Sequence, residues 1–295
     1  NLNLILNLGI ANINLKEYDK AIADYDKLLG YDKRNVPAIL YRGIALVNKG
    51  DSIAAMNEFK RASDINKYST DAYTYLGMLH YQMKQYDEAL SDYNRLYELR
   101  PHDANILVNR AITKYNLDDF RGCFEDLDNA IALDGKNKLA YANRGNLRAQ
   151  VGDYNNAITD FSRVLSLDPS DDIALFNRAM LYIETGDMNS ALSDLDIIVA
   201  KHPDFGPAYY QRAIAKRYLN DKEGSERDYM TAYTFEQERI KRGLENGKNA
   251  DSEDAGNDKN DDKKEKKNSR SKNDNDIKKY DQMVVVSDFE DNDNK

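Results

Sequence analysis

Few side chains in this 295-residue chain can do covalent or metal chemistry. The three histidines, His80, His102 and His202, lie far apart and lack metal-ligand spacing. A single cysteine, Cys123, excludes a disulfide framework and a cysteine-based metal cluster. No Ser/His/Asp set, glycine-rich phosphate loop or paired-carboxylate motif is present, so no enzymatic activity, cofactor or metal is expected. The acidic pairs Asp118-Asp119 and Asp171-Asp172 sit at expected helix starts, where capping accounts for them. What does recur is Asn-Arg-small: VNRA at 108–111, ANRG at 142–145 and FNRA at 176–179, each 34 positions after the last. The chemistry of that triplet is non-covalent. An amide donates and accepts, a guanidinium seeks a carboxylate, and a tiny residue lets helices approach.

The period runs through most of the chain. Small residues stand at Gly9, Gly43, Gly77, Ala111, Gly145, Ala179 and Ala213, every step 34. Twelve positions on, a second small column runs Ala21, Ala55, Ala89, Cys123, Ala157, Ala191 and Ser225. Cys123 therefore reads as a small core residue. A third column holds large residues: Tyr25, Phe59, Tyr93, Leu127, Phe161, Leu195 and Tyr229. Between the small columns fall KGDS (49–52), VGDY (151–154) and TGDM (185–188), where Gly ends one helix and Asp starts the next. Asn35, Ser69, Asp103, Asn137 and Asp171 are N-cap types just ahead of each new unit. Each unit thus reads helix, turn, helix, turn. The fifth carries Tyr141, Arg144, Gly145 and Arg148 on one face of its first helix, and Tyr154, Ala157, Ile158, Phe161 and Val164 on the buried stripe of its second. One such pair cannot bury its apolar face alone, whereas stacked pairs can.

The stretch YANRGNLRAQVGDYNNAITDFSRVLSLDP (141–169) resembles a tetratricopeptide repeat, with the family's Gly/Ala, Ala, Phe and Pro residues in place. The resemblance extends over residues 2 to about 236. It implies an all-α fold, a right-handed α-solenoid of seven repeats at 2–35, 36–69, 70–103, 104–137, 138–171, 172–205 and 206–239. The solenoid is expected to span 1–243. A polar, charged segment, 244–295, then follows as a disordered tail that holds one apolar motif at 280–289. That motif reads as a docking strand or an inert remnant.

One departure from the family matters. Where Leu usually precedes the small residue, Leu8 and Leu76 conform but Arg42, Arg110, Arg144, Arg178 and Arg212 do not. A charge on the core stripe needs a partner. Sixteen residues after each stands an acid: Glu58, Asp126, Asp160, Asp194 and Asp228. Structural ion pairs are expected, with the acid drawn from the same repeat or from the one before. Asp24 and Asp92 hold the same place in the Leu-bearing repeats.

The residue before each Arg points about 100° away around the helix. In the family that side lines a concave groove, so the resemblance implies partner binding by the column Asn7, Tyr41, Tyr75, Asn109, Asn143, Asn177 and Gln211, joined by Met78, Asn146 and Met180. Residues seven further on (Asn14, Asn48, Gln82, Asn116, Gln150, Glu184 and Tyr218) share the face. The column resembles the asparagine ladder of O-linked N-acetylglucosamine transferases, which implies an extended peptide as ligand. Exchange of Asn109, Asn143 and Asn177 for Ala is then expected to weaken binding and leave the melting temperature nearly unchanged. A carboxylate clamp is not expected, because Ala142, Phe176 and Gln211 replace its basic residues.

The expected function is a protein-interaction scaffold for a protein or peptide. Alternatives are the substrate-recruiting arm of a larger enzyme or a structural subunit of a bacterial envelope or secretion assembly. The net charge of −9 argues against nucleic acid. No apolar run approaches the ~18 residues of a membrane span. The N-terminal NLNLILNLGI is apolar nearly all round, which suggests a preceding segment or self-association through the first repeat.

Overall fold

A computed structural model describes residues 2–253. Helical hairpins account for nearly all of them, and no strand occurs among the described residues. The first four hairpins are α1 (Leu2–Asn14) with α2 (Tyr18–Tyr31), α3 (Val36–Lys49) with α4 (Ser52–Ile65), α5 (Thr70–Gln82) with α6 (Tyr86–Leu99), and α7 (Ala104–Asn116) with α8 (Phe120–Leu133). Three more are α9 (Lys138–Gln150) with α10 (Tyr154–Leu167), α11 (Asp172–Thr185) with α12 (Met188–Lys201), and α13 (Gly206–Tyr218) with α14 (Lys222–Glu253). The seven hairpins follow the 34-residue period. Helix α14 continues past residue 243, where composition suggested that the tail begins. The motif at 280–289 lies outside the described residues.

The hairpins form two compact units, α1–α8 and α9–α14. Within each, every helix packs on its neighbours in sequence. The first helices of successive hairpins also touch, α1 against α3 and α11 against α13.

Local chemistry sets the helix ends. Asn35 accepts from the amide of Ala38, Ser69 from Ala72, Asp103 from Asn105 and Asp171 from Ala174. Inside hairpins Asp51, Asp119 and Asp187 do the same for Ala54, Gly122 and Ser190. One backbone position recurs in every hairpin turn. Gly50, Gly152 and Gly186 take φ of 93°, 81° and 85° there, and Lys16, Lys84, Asp118 and Asn220 take 59°, 59°, 60° and 65°. The turn thus demands left-handed backbone even where no glycine is available to adopt it.

The core of each hairpin is a size-matched pair. A Cβ at Gly9 would stand 2.5 Å from the Tyr25 ring, at Gly43 2.6 Å from Phe59, at Gly77 2.8 Å from Tyr93 and at Gly145 3.2 Å from Phe161. Where the small column holds Ala111 or Ala179, the partners sixteen residues on are the smaller Leu127 and Leu195. Every ring or Leu named here is at most 1% exposed. The seventh pair, Ala213 and Tyr229, combines Ala with an aromatic, and Tyr229 is 37% exposed.

Candidate functional site

The Arg column lies between hairpins. Arg110 donates from Nε and Nη2 to Asp126 at 2.8 and 2.6 Å, and Arg178 does so to Asp194 at 2.8 and 2.7 Å. Arg144 meets Asp160 at 3.0 and 2.7 Å, and Arg212 meets Asp228 at 2.7 Å twice. Arg42 reaches Glu58 through Nη1 at 2.8 Å. Each acid belongs to the same repeat as its Arg. The other end of the guanidinium reaches back to the preceding hairpin: Arg42 to Asp26 at 2.8 Å, Arg110 to Asn94 at 3.2 Å, Arg178 to Ser162 at 3.0 Å and Arg212 to Asp196 at 2.8 Å. One side chain therefore clamps three helices, using the planar fork of donors that Lys lacks.

A second set of cations escapes a search confined to the Arg column. Lys114, Arg148 and Lys216 stand one helical turn after their Arg and reach the same acids at 2.8, 2.6 and 2.7 Å. Their signal in the sequence is a base twelve residues before the acid. In the Leu-bearing repeats that place holds Asn12, which donates to Asp24 at 2.8 Å, and His80, whose Nδ1 lies 2.6 Å from Asp92. Burial pushes the Asp228 carboxyl up, but hydrogen bonds from Arg212 and Lys216 outweigh it and hold the group below the usual carboxylate range. In Asp92 burial wins over the single bond to His80, and the carboxyl is raised.

The residues proposed for the groove divide. Asn7 is exposed, and Tyr41, Tyr75, Met180 and Gln211 are half-buried. Asn143 is fully buried, and Met78, Asn109, Asn146 and Asn177 retain 5–8% of their surface. At Tyr41, Tyr75 and Asn177 the 100° step carries the side chain off the Arg stripe and into the seam with the preceding hairpin. Tyr41 stacks on Tyr25 at 6.2 Å, Tyr75 stacks on Phe59 at 4.6 Å, and Asn177 donates to Asn146 at 3.0 Å. Buried amides held this way brace helices, so their exchange for Ala should cost stability. The exposed amides are one column further along: Asn14, Asn48, Gln82 and Gln150 are exposed, Asn48 donating to the Ile44 carbonyl at 3.0 Å, and Asn116 is half-buried, donating to the Tyr81 hydroxyl at 3.1 Å.

The remaining chemistry-bearing residues are occupied structurally. Cys123 is buried, and burial followed by the Asp126 charge pushes its thiol to about 12, far from a reactive thiolate. His202 lies 2.7 Å from Asp172, while His102 is exposed beside a small hollow of about 310 Å³ lined also by Asp103 and Asp134. Among the described residues no cluster of three His, Cys, Asp or Glu is placed to hold a metal, and no helix is long and apolar enough to cross a membrane.

Tetratricopeptide repeat models match residues 2–35, 70–103, 139–171 and 173–204. No curated protein sequence matches the chain. Among solved structures, a tetratricopeptide repeat protein from Parabacteroides merdae superposes with a TM-score of 0.61 at 18% identity, covering 79% of this chain and 93% of that one. Pseudomonas aeruginosa PilF gives 0.60 at 14% identity, covering 75% and 97%. YrrB, described as a TPR protein with an unusual peptide-binding site, gives 0.52 at 18% identity, covering 62% and 95%. At these identities the likeness is one of fold. With the repeat matches and the seven-hairpin architecture in agreement, the chain belongs to the tetratricopeptide repeat family, whose members serve as protein-interaction scaffolds.

Proposed function

We propose that this scaffold holds an extended peptide or partner segment along the first helices of the hairpins within a unit. The observation that carries the reading is the exposed amide column. In the first unit Asn14, Asn48 and Gln82 recur at 34-residue steps on the exposed side of α1, α3 and α5. An amide bonds peptide backbone through both its donor and its acceptor, whatever the peptide's sequence. Tyr41 and Tyr75 are half-buried beside this column and supply adaptable aromatic area. In the second unit Gln150, Met180 and Gln211 offer the same mixture. The buried Asn109, Asn143, Asn146 and Asn177 support this surface by fixing the helices that carry it, as the Asn177–Asn146 bond illustrates. YrrB's peptide-binding site, on a similar fold, is consistent with this use of the hairpins.

The test selects binders to the full chain from a phage-displayed library of linear peptides, then measures a selected peptide against Asn14→Ala/Asn48→Ala/Gln82→Ala. Three lost amide bonds at ~0.5–1.5 kcal/mol each predict a loss of roughly tenfold to a thousandfold in affinity. The melting temperature should stay put, since all three side chains are exposed. Unaltered affinity, or a library that yields no binder, refutes the proposal.

A further inference from the structure

Among the described residues, two faces expose large apolar side chains, and their residues match. On α14, Tyr229, Met230 and Tyr233 are 37%, 60% and 59% exposed, with Tyr210 of α13 edge-on to Tyr229 at 5.3 Å. On α1, Leu4 and Leu8 are 69% and 51% exposed, and Asn7 is exposed beside them.

The seam between α6 and α7 shows what such faces make when joined. There Tyr93, Leu96 and Ile106 form a buried cluster with Tyr97 packed against it, and Asn109 is buried alongside. Arg110 of α7 bonds Asn94 of α6 at 3.2 Å and lies 4.3 Å from the Tyr97 ring. Four repeats on from the α6 residues stand Tyr229, Met230, Ala232 and Tyr233. Three repeats back from the α7 residues stand Leu4, Asn7 and Leu8. Tyrosine for tyrosine, aliphatic for aliphatic and Asn for Asn, the two exposed faces repeat the seam. Ala232 in place of Leu96 leaves space for an incoming Leu4.

The one change in chemistry occurs on both faces together. Leu8 replaces the Arg, and Met230 replaces the polar residue that the Arg reaches. The other six residues at the Met230 place, Asp26, Lys60, Asn94, Asp128, Ser162 and Asp196, are all polar. An unpaired Met there would be a poor choice for a solvent face, and an Arg opposite it would lose its bond.

We propose that the α14 face of one copy receives the α1 face of a second copy, head to tail, with Leu8 seated on Met230. The contact extends the repeat–repeat seam across two molecules. Because the two patches differ, each added copy leaves one face of each kind open, and association continues beyond the dimer unless a ring closes.

Sedimentation velocity on the full chain, from low micromolar to submillimolar, tests this. The wild-type mass average should rise with concentration. Met230→Asp alone and Leu8→Arg alone should each weaken association by about tenfold or more, because either one puts a single charge into the apolar contact. Leu8→Arg with Met230→Asp in one chain should restore it, by rebuilding the Arg-to-acid bond seen between Arg212 and Asp196 at 2.8 Å. Both positions are exposed, and far-UV circular dichroism checks that the variants keep wild-type helix. A wild-type chain that stays monomeric overturns the proposal and leaves the α14 face to a helix of another protein. Association that survives both single changes, or a double variant that stays weak, overturns it as well.

Discussion

Adding one methyl group at Gly43 tests whether each hairpin is built around a size-matched pair. The new Cβ would lie 2.6, 2.8 and 3.1 Å from three carbons of the Phe59 ring. Carbon atoms pack best at about 3.5–4.0 Å, so the overlap approaches an ångström. Phe59 is 0% exposed and stacked against Tyr75 at 4.6 Å. Overpacking of this kind costs ~1–3 kcal/mol, against which Ala gains ~1 kcal/mol of helix propensity over Gly. Gly43→Ala should therefore be destabilising by up to about 2 kcal/mol. Phe59→Leu alone removes ring atoms from a filled site and should cost about 1–2 kcal/mol. Combined, the two changes recreate the pairs that the chain already uses at Ala111–Leu127 and Ala179–Leu195. The double variant should sit near wild type, a coupling of ~1–3 kcal/mol. The spacing also grades the cost: Gly145→Ala, at 3.2 Å from Phe161, should be milder than Gly43→Ala. Guanidinium titration followed by circular dichroism gives the global values. Hydrogen exchange on α3 and α4 gives the local ones, which matters because stacked repeats need not unfold together. Additivity of the two changes within about 0.5 kcal/mol, or equal costs at Gly43 and Gly145, would refute the size-matching account.

Asp160→Ala should cost about 3–5 kcal/mol in chemical denaturation, because it removes the buried acid that both Arg144 and Arg148 bond, and Arg144→Leu should cost less, because Arg148 still holds the acid. Lys84→Gly should raise stability by about 0.5–1 kcal/mol, seen as a higher melting temperature, since the turn holds Lys84 at φ 59°. The two acids with opposite shifts should respond oppositely. The folded-state value of Asp228 is depressed, so its stabilisation is present above the ordinary carboxylate value and is lost as pH falls through the folded one. Asp92 is raised, so its contribution is present at low pH and is lost as pH rises through its folded value. Melts at neutral pH should show Asp228→Asn destabilised and Asp92→Asn unharmed or stabilised.

The period, the hairpins and the caps at Asn35, Ser69, Asp103 and Asp171 were legible because each depends on one local residue type at a fixed interval. The turn backbone was legible only where Gly marked it. Lys16, Lys84, Asp118 and Asn220 adopt the same left-handed geometry with residues that do not advertise it, because the packed hairpin outweighs their preference. The second cations, Lys114, Arg148 and Lys216, fall on the Arg face one turn later, and they look like solvated charge until the acid's position is known. The burial of Asn109, Asn143 and Asn177 was not legible for a related reason. A helical wheel gives the angle from the core stripe, not which neighbour waits there. Two neighbours exist in a stack, solvent on one side and the preceding hairpin on the other, and Asn tolerates both. Its burial at Asn109 and its bond from Asn177 to Asn146 come from the stack, which no single repeat encodes.

The seams therefore join polar and apolar matching in a way that sets specificity between repeats. A seam of Ala and Leu alone would accept any other hairpin, and a shifted stack would bury as much surface. The Arg clamp forbids that. Arg212 must find Asp228 within its own hairpin and Asp196 in the one before, and a slipped register leaves the half-buried Arg212 or the buried Asp228 without its partner. Net stability from each clamp is modest, because desolvation offsets attraction, but the penalty for a wrong neighbour is not. The seam between α4 and α5 relaxes this rule, with Leu76 buried where the clamp would be and the His80 ring, in place of a lysine or arginine, against Asp92. Register there rests on shape, through Tyr75 stacked on Phe59 at 4.6 Å.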